Sequence, residues 1–334
     1  MFLSNLPDDI PLSSLVLPGS MAFYGWPVSQ CQSTLTPLMA QLHSGIRVLD
    51  VRLAIVHNRL ISYHGAYPQR EPFQIILATL FAFLSDPATC METIVVSIKQ
   101  EDFKKHHPHR FSLLVRDEIE NGPGGLGMWF LENRIPVLGE VRGKAIMFSR
   151  FGDGCGWQGG LQGLGIHPPR WPDSCKAGFI WQCRDTLVRT HDWYNISSFL
   201  LIPEKVRLAT QNILFQQQPR SPETPATPPI LSITYFSAAS FPFALPTVVA
   251  CGFGWPRWGL GIEGVNSRVG KWLLGQLSIG GAASGAKTDH SENQSEELKA
   301  PDDHPDIRGW MFLDFYSQPE DGILVPLLIE CNFV

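Results

Sequence analysis

The sequence predicts an α/β fold, a single distorted TIM β/α barrel, on two observations. From residue 34 onward strand-like and helix-like segments alternate, the pattern of a parallel sheet with crossover helices. The apolar strand-like runs also end in charged or polar side chains, and a parallel barrel builds its site at the C-terminal ends of its strands. At 334 residues, with 44% hydrophobic and 17% charged residues, the chain has enough apolar side chains for one large core. No internal repeat of fixed period is visible, which argues against a solenoid or propeller.

Taken in order, Thr36-Pro37 opens a helix through Gln41 that stops near Gly45, and Ile46 to Leu53 reads as a buried strand. Leu60 to Tyr63 is a second, short strand. Pro72 to Leu84 has the apolar stripe of a helix closed by Asp86-Pro87, and Thr93 to Ile98 is β-branched enough for a strand. Lys144 to Arg150 repeats that theme. Pro203 to Leu214 is a helix with proline in its first turn, Leu231 to Phe236 a strand, Val265 to Leu277 a helix, and Trp310 to Phe315 a strand. Two stretches, about 216–229 and 280–304, are rich in polar residues with Pro or Gly and read as flexible surface insertions in one domain spanning 1–334.

A net charge of −5 gives no basic field for nucleic acid. The seven cysteines show no C-x-x-C spacing, so reduced thiols and no metal or redox pair are expected. Met1 to Pro11 lacks a basic start followed by an apolar stretch, and Leu231 to Trp255 is broken by Pro242 and Pro246; a soluble, cytoplasmic monomer is the expectation. The run Lys104-Lys105-His106-His107-Pro108-His109-Arg110 reads as a basic surface loop suited to anionic headgroups, with no carboxylate partner at ligand spacing.

Polar residues recur at the expected strand ends. Asp50 and Arg52 are two apart in one strand and share a face, as do Ser97 and Lys99, and Asp192 and Tyr194 if that segment is extended. Arg150 and Asp314 close apolar runs. Any one of these is equally a charge where a strand meets solvent; their repetition is what points to a site.

With Leu17-Pro18-Gly19-Ser20, Gly45 to Arg52, Tyr63-His64-Gly65, Glu92 to Lys99, Asp192-Trp193-Tyr194 and Leu313-Asp314-Phe315-Tyr316, the chain resembles the bacterial-type phosphatidylinositol-specific phospholipase C X-domain family, barrels of the phospholipase C-like phosphodiesterase type. The resemblance covers nearly the whole length, with an X-domain-like core at about 12–200. It implies cleavage of an inositol phospholipid headgroup: one histidine takes the proton of the inositol 2-hydroxyl, which attacks phosphorus, and a second protonates the leaving alcohol. His64 matches that acid. Arg52 matches the guanidinium on the phosphoryl oxygens, with Asp50 beside it, and Asp314 matches the carboxylate that orients the base. Lys99 and Arg150 match pocket positions, and Asp192 and Tyr194 match residues that hydrogen-bond and stack on the ring. Calcium-dependent relatives carry metal ligands where this chain has Arg52, so the resemblance implies no metal and no cofactor. Transient contact with a membrane surface is the implied partner interaction.

The departure lies just after the Pro-Gly turn. Relatives read Pro-Gly-Thr/Ser-His-Asp/Asn-Ser/Thr; this chain reads Pro18-Gly19-Ser20-Met21-Ala22-Phe23, about three residues short. The shortfall removes the base histidine and the acidic or amide neighbour of the acid histidine, and the Met21 thioether takes up no proton. Impaired turnover is expected, or an inactive barrel that still binds a headgroup; a misplaced splice junction is a third account.

Overall fold

The computed structural model describes residues 1–21, 30–215, 228–239, 244–256, 260–284, 306–318 and 323–333. The first half runs β1 (Val16–Met21), α1 (Leu38–His43), β2 (Val48–Val56), β3 (Arg59–His64), β4 (Tyr67–Pro72), α2 (Phe73–Ser85), β5 (Ile94–Gln100), α3 (Pro108–Glu120), β6 (Trp129–Phe130), α4 (Leu138–Val141) and β7 (Ala145–Arg150). The second half runs β8 (Cys175–Cys183), β9 (Thr186–Asp192), α5 (Ile202–Ile213), β10 (Leu214–Phe215), β11 (Ile230–Tyr235), α6 (Pro246–Cys251), β12 (Gly252–Trp255), β13 (Leu260–Glu263), α7 (Val265–Ser284), β14 (Asp306–Ile307), β15 (Gly309–Leu313) and α8 (Leu324–Glu330).

The main sheet curls in the order β6-β7-β5-β2-β1-β15-β11-β9-β8, with β3 and β4 attached to β2 as an antiparallel excursion. All neighbours along that path are parallel except β8 and β9. Among the described residues β6 and β8 do not pair with each other, so the barrel is distorted and open at one seam.

Strand side chains alternate between two cores. Leu17, Val48, Val95, Ile146, Phe148, Ile233, Trp310 and Phe312 fill the inside of the curled sheet. Leu49, Val51, Val96, Ile98, Met147, Met311 and Leu313 face outward with the helices, against Ile76, Leu80, Phe111 and Val269. The inward set is apolar near the strand starts, and its continuation two residues at a time reaches Met21, Asp50, Arg52, Ser97, Lys99, Arg150, Asp192 and Asp314. One parity therefore supplies both the interior of the barrel and its mouth.

The elements expected from the sequence shift by a few residues, the β8–β9 ladder was not expected, and two other segments differ more widely. The expected basic loop passes into α3: His107 accepts from the His109 amide as its N-cap, and His106 lies 2.6 Å from Asp102, a carboxylate four residues back that the sequence reading had not credited. Helix α7 continues to Ser284, into the segment expected to be flexible; the remainder of that segment, 285–304, and residues 216–227 of the other lie outside the described residues. No helix among the described residues is long and apolar enough to cross a membrane.

Candidate active site

Register places three cations side by side. Arg52 of β2 is level with Lys99 of β5, and Lys99 is level with Arg150 of β7. Carboxylates are woven between them. Arg52 donates from Nε to Asp50 Oδ2 at 3.0 Å, its Nη2 is 2.9 Å from the same oxygen, and its Nη1 reaches Glu101 at 3.4 Å. Lys99 shares Glu101 at 3.3 Å. Arg150 lies 3.6 Å from Asp50 Oδ1 and 4.0 Å from Asp192 Oδ2, donates to the Tyr235 hydroxyl at 3.0 Å, and rests on the face of Trp171 at 4.0 Å. The Trp171 indole N–H closes the set by donating to Asp192 at 2.8 Å.

This neighbourhood sets the ionisation. Burial would push Asp50 up, but Arg52, Arg150 and Lys99 outweigh it and hold the carboxyl below its usual range. Burial would lower Arg52, but Asp50 and Glu101 outweigh it and keep the guanidinium charged. Lys99 is lowered by burial and then by Arg52. Asp314 behaves oppositely to Asp50: burial pushes it up to about 7, against the opposing pull of Arg52. Two carboxylates of one mouth thus have separated acidities, as acid/base sites require.

A pocket opens above this row, lined by Met21, Cys31, Asp50, Arg52, Tyr63, His64 and Gln69. His64 ends β3, and its Nδ1 lies 3.6 Å from the Cys31 sulfur. Burial, and then the charge of Asp314, pushes the Cys31 thiol well above its usual range. Met21 is the last residue of β1, 6% exposed and level with Asp50, while Ser20 points the other way and donates to Gln41 of α1. The residues after Met21 that the sequence reading singled out, Ala22-Phe23, lie outside the described residues. Tyr194 stands at the rim, partly exposed, and donates to Asp173.

Of the eight residues expected from sequence, Asp50, Arg52, Lys99, Arg150 and Asp192 form one connected charge network. His64 lies beside Cys31, Asp314 acts on the Cys31 thiol through its charge, and Tyr194 stands apart at the edge. Glu101, Cys31, Trp171 and Tyr235 were not anticipated. Glu101 and Tyr235 carry the inward parity of Ser97-Lys99 and Leu231-Ile233 and could have been found from it; Cys31 and Trp171 sit in loops without periodicity.

No family model matches the chain. The 1-phosphatidylinositol phosphodiesterase of Listeria monocytogenes is 29% identical over 160 residues, which is 44% of this chain and 48% of that protein. The enzyme of the same name from Staphylococcus aureus strain Newman is 27% identical over 164 residues, 45% of this chain and 51% of that protein. The chain thus spans about half the length of the curated relatives it matches. Over nearly full length it superposes on the phosphatidylinositol-specific phospholipase C of S. aureus with a TM-score of 0.65 at 20% identity, covering 98% of this chain and 96% of that one. The L. monocytogenes structure gives a TM-score of 0.55 at 20% identity, with 99% and 98% covered. In sequence over about half its length, and in fold over nearly all of it, the chain is similar to the bacterial phosphatidylinositol-specific phospholipases C.

Proposed function

We propose that the chain is a phosphodiesterase that cleaves an inositol-type phospholipid headgroup by general acid/base chemistry without a metal ion, at a reduced rate. The observation that carries this reading is the in-register row Arg52, Lys99 and Arg150 with His64 in the pocket above it. Arg52 exchanges part of its bonding to Asp50 and Glu101 for the phosphoryl oxygens, where a fixed, permanently charged fork stabilises developing charge. His64 protonates the leaving alcohol. Arg150, Asp192 and Tyr194 hold the ring. A cation at Arg52, already balanced by Asp50 and Glu101, disfavours a calcium ion in the same place.

Phe253 and Trp255 of β12, Leu260 of β13 and Leu200 are exposed, and Phe253 meets Phe199 edge to face at 5.3 Å. These residues follow the C-terminal ends of β9 and β11, on the side of the mouth. They suit contact with a lipid surface from which a headgroup is drawn.

A second reading, an inactive headgroup-binding barrel, is favoured by one observation: Met21, a side chain that takes up no proton, ends β1 level with Asp50, where the resemblance implies a base. The two are separated by assaying release of water-soluble inositol phosphate from phosphatidylinositol vesicles in a chelator, beside calorimetric titration of a soluble inositol phosphate into the parent and Arg52→Ala. Slow cleavage that persists in the chelator is expected. Arg52→Ala should weaken binding about ten- to a hundredfold, the equivalent of a charge-assisted hydrogen bond of roughly 1.5–3 kcal/mol. Binding without cleavage selects the second reading. Strict calcium dependence refutes the metal-free part, and equal affinities for parent and variant mean that the mouth holds no phosphate.

A further inference from the structure

We propose that Lys205, on the outer helix α5, is a positioning residue for the ring-binding side of the mouth. It fixes the Trp193 peptide and with it Asp192 and Tyr194, so that its loss weakens recognition of the ring and spares recognition of the phosphate. The inference deepens the proposed function and rests on its assignment of Asp192 and Tyr194 to the ring.

The strand that carries these residues loses its neighbour where they begin. Among the described residues the ladder between β9 and β11 ends at His191, level with Thr234, and the two segments meet again at the Asn195–Ala239 bridge. Asp192, Trp193 and Tyr194 lie in the gap, where the backbone needs other partners. Lys205 supplies one by donating from Nζ to the Trp193 carbonyl at 2.7 Å. That oxygen belongs to the planar peptide group joining Trp193 to Tyr194, so fixing it fixes the direction in which Tyr194 continues the chain. The adjacent residue of α5, Glu204, pairs with Lys176 at 2.9 Å, and the Lys176 ammonium lies 4.7 Å from the centre of the Trp193 ring. The first turn of α5 thus grips Trp193 by its carbonyl and, through Lys176, by its indole. The neighbours are held as well: the Trp171 N–H donates to Asp192, the Ala239 amide to the Tyr194 carbonyl and the Asn195 amide to Ser174 Oγ, each at 2.8 Å.

Filling this space does not call for a lysine. Lys205 is fully buried, and among the described residues no carboxylate is close enough to form an ion pair with it. An apolar side chain of similar length fits the same place without the cost of burying an amine; what it cannot do is bond the Trp193 carbonyl. The carboxylates whose charge acts on Lys205 are Asp192 and Asp314, both of the mouth. His191 of β9, pushed down to about 3 by burial and then by Lys205, stays neutral. Arg52, the phosphate-binding cation, is separated from β9 by β1, β15 and β11, so the tie acts on the ring side alone.

The test compares two soluble probes and one resonance. Inositol monophosphate and inorganic phosphate are titrated calorimetrically into the parent and Lys205→Met. Affinity for inositol monophosphate should fall about tenfold, the scale of one lost hydrogen bond, while that for inorganic phosphate should change less than about twofold. Trp193-Tyr194 is the one Trp-Tyr step in the chain, so carbonyl-¹³C tryptophan combined with ¹⁵N tyrosine labels a single peptide group. Its resonance should move when the Lys205 bond is lost. Lys205→Gln, which keeps an N–H donor, should recover part of both effects, and Lys205→Leu repeats the test if the methionine variant is poorly folded. Unchanged affinity for inositol monophosphate in the apolar variants, an equal loss for both probes, or an unmoved resonance overturns the positioning role. If the parent itself binds inositol monophosphate no better than phosphate, the reading of the ring site fails; a moved resonance then still supports the Lys205 tie, and an unmoved one overturns it.

Discussion

Two arginines five residues apart, Arg47 just before β2 and Arg52 within it, have opposite surroundings. Arg47, just before β2 at the closed end of the barrel, is fully buried: Nε donates to Glu92 at 2.7 Å, Nη1 donates to the Leu42 and Ile46 carbonyls at 2.7 Å each, and Nη2 contacts the Met1 sulfur. The rings of Phe2 and Phe83 lie within 5.4 and 5.1 Å of its guanidinium. Arg52, at the open end, has two carboxylate partners and keeps 16% of its side chain exposed beside the pocket. Both are buried, paired cations. A structural arginine has its donors committed to the protein, whereas a functional one keeps a partner it can exchange for a ligand.

The sharpest way to break this comparison is to remove each cation in turn. Arg47→Met strands Glu92 without its partner in a dry site and should cost about 3–5 kcal/mol of stability. Arg52→Met should cost less than about half of that, because Arg150 and Lys99 still face Asp50, yet it should abolish cleavage. Urea unfolding of both variants checks the ordering, and equal losses would show that the two ends do not differ in kind.

A gain of function comes next in size. Met21 occupies an inward position level with Asp50, so Met21→His places an imidazole at the open end without altering the length of the chain. Cleavage should rise about 10²-fold, the lower range for a positioned general base. A folded Met21→His protein with the parent's rate would mean that strand position alone does not restore the base.

Lys205 of α5 is an intermediate case and should give the smallest effect. It is fully buried, donates to the Trp193 carbonyl at 2.7 Å, and is lowered to about 7 by burial despite the opposing charges of Asp192 and Asp314. A lysine held below its unfolded pKa contributes stability that is present above pH about 10 and lost as pH falls through about 7. Lys205→Met has no such loss. Its melting temperature should therefore gain on the parent as pH falls from 9 to 6, by about 3 °C, and a pH-independent difference would count against a depressed Lys205.

Much of this was legible in the sequence because one period carries it. Asp50, Arg52, Lys99, Arg150 and Asp314 could be picked out because each ends an apolar run on the parity that fills the barrel, and the aligned curated relatives and the superposed structures agree with the fold they implied. The β8–β9 ladder was missed because Cys175 to Cys183 alternates poorly, with Gly178 at a positive φ of 72° and a register shift near its start. Cys31 and Trp171 were invisible for a different reason. Each reaches the site from a loop, through contacts with residues far away in sequence that no local pattern encodes.

The open seam of the barrel has a consequence for how the molecule meets its own copies. A closed barrel has no free strand edge, whereas among the described residues this curled sheet ends at β6 and β8 without the two pairing, and an unpaired edge invites strands from outside. Here β6 is only two residues long. The longer β8 is kinked where Cys175 and Phe179 fall out of register, and Lys176 there is tied to Glu204 at 2.9 Å. A strand approaching β8 therefore finds an irregular, charged border, beyond which exposed Ile180 stands as an apolar foothold. The seam that leaves the barrel unclosed is shaped against edge-to-edge association, so colloidal behaviour at high concentration depends on a stretch of chain that takes no part in the chemistry.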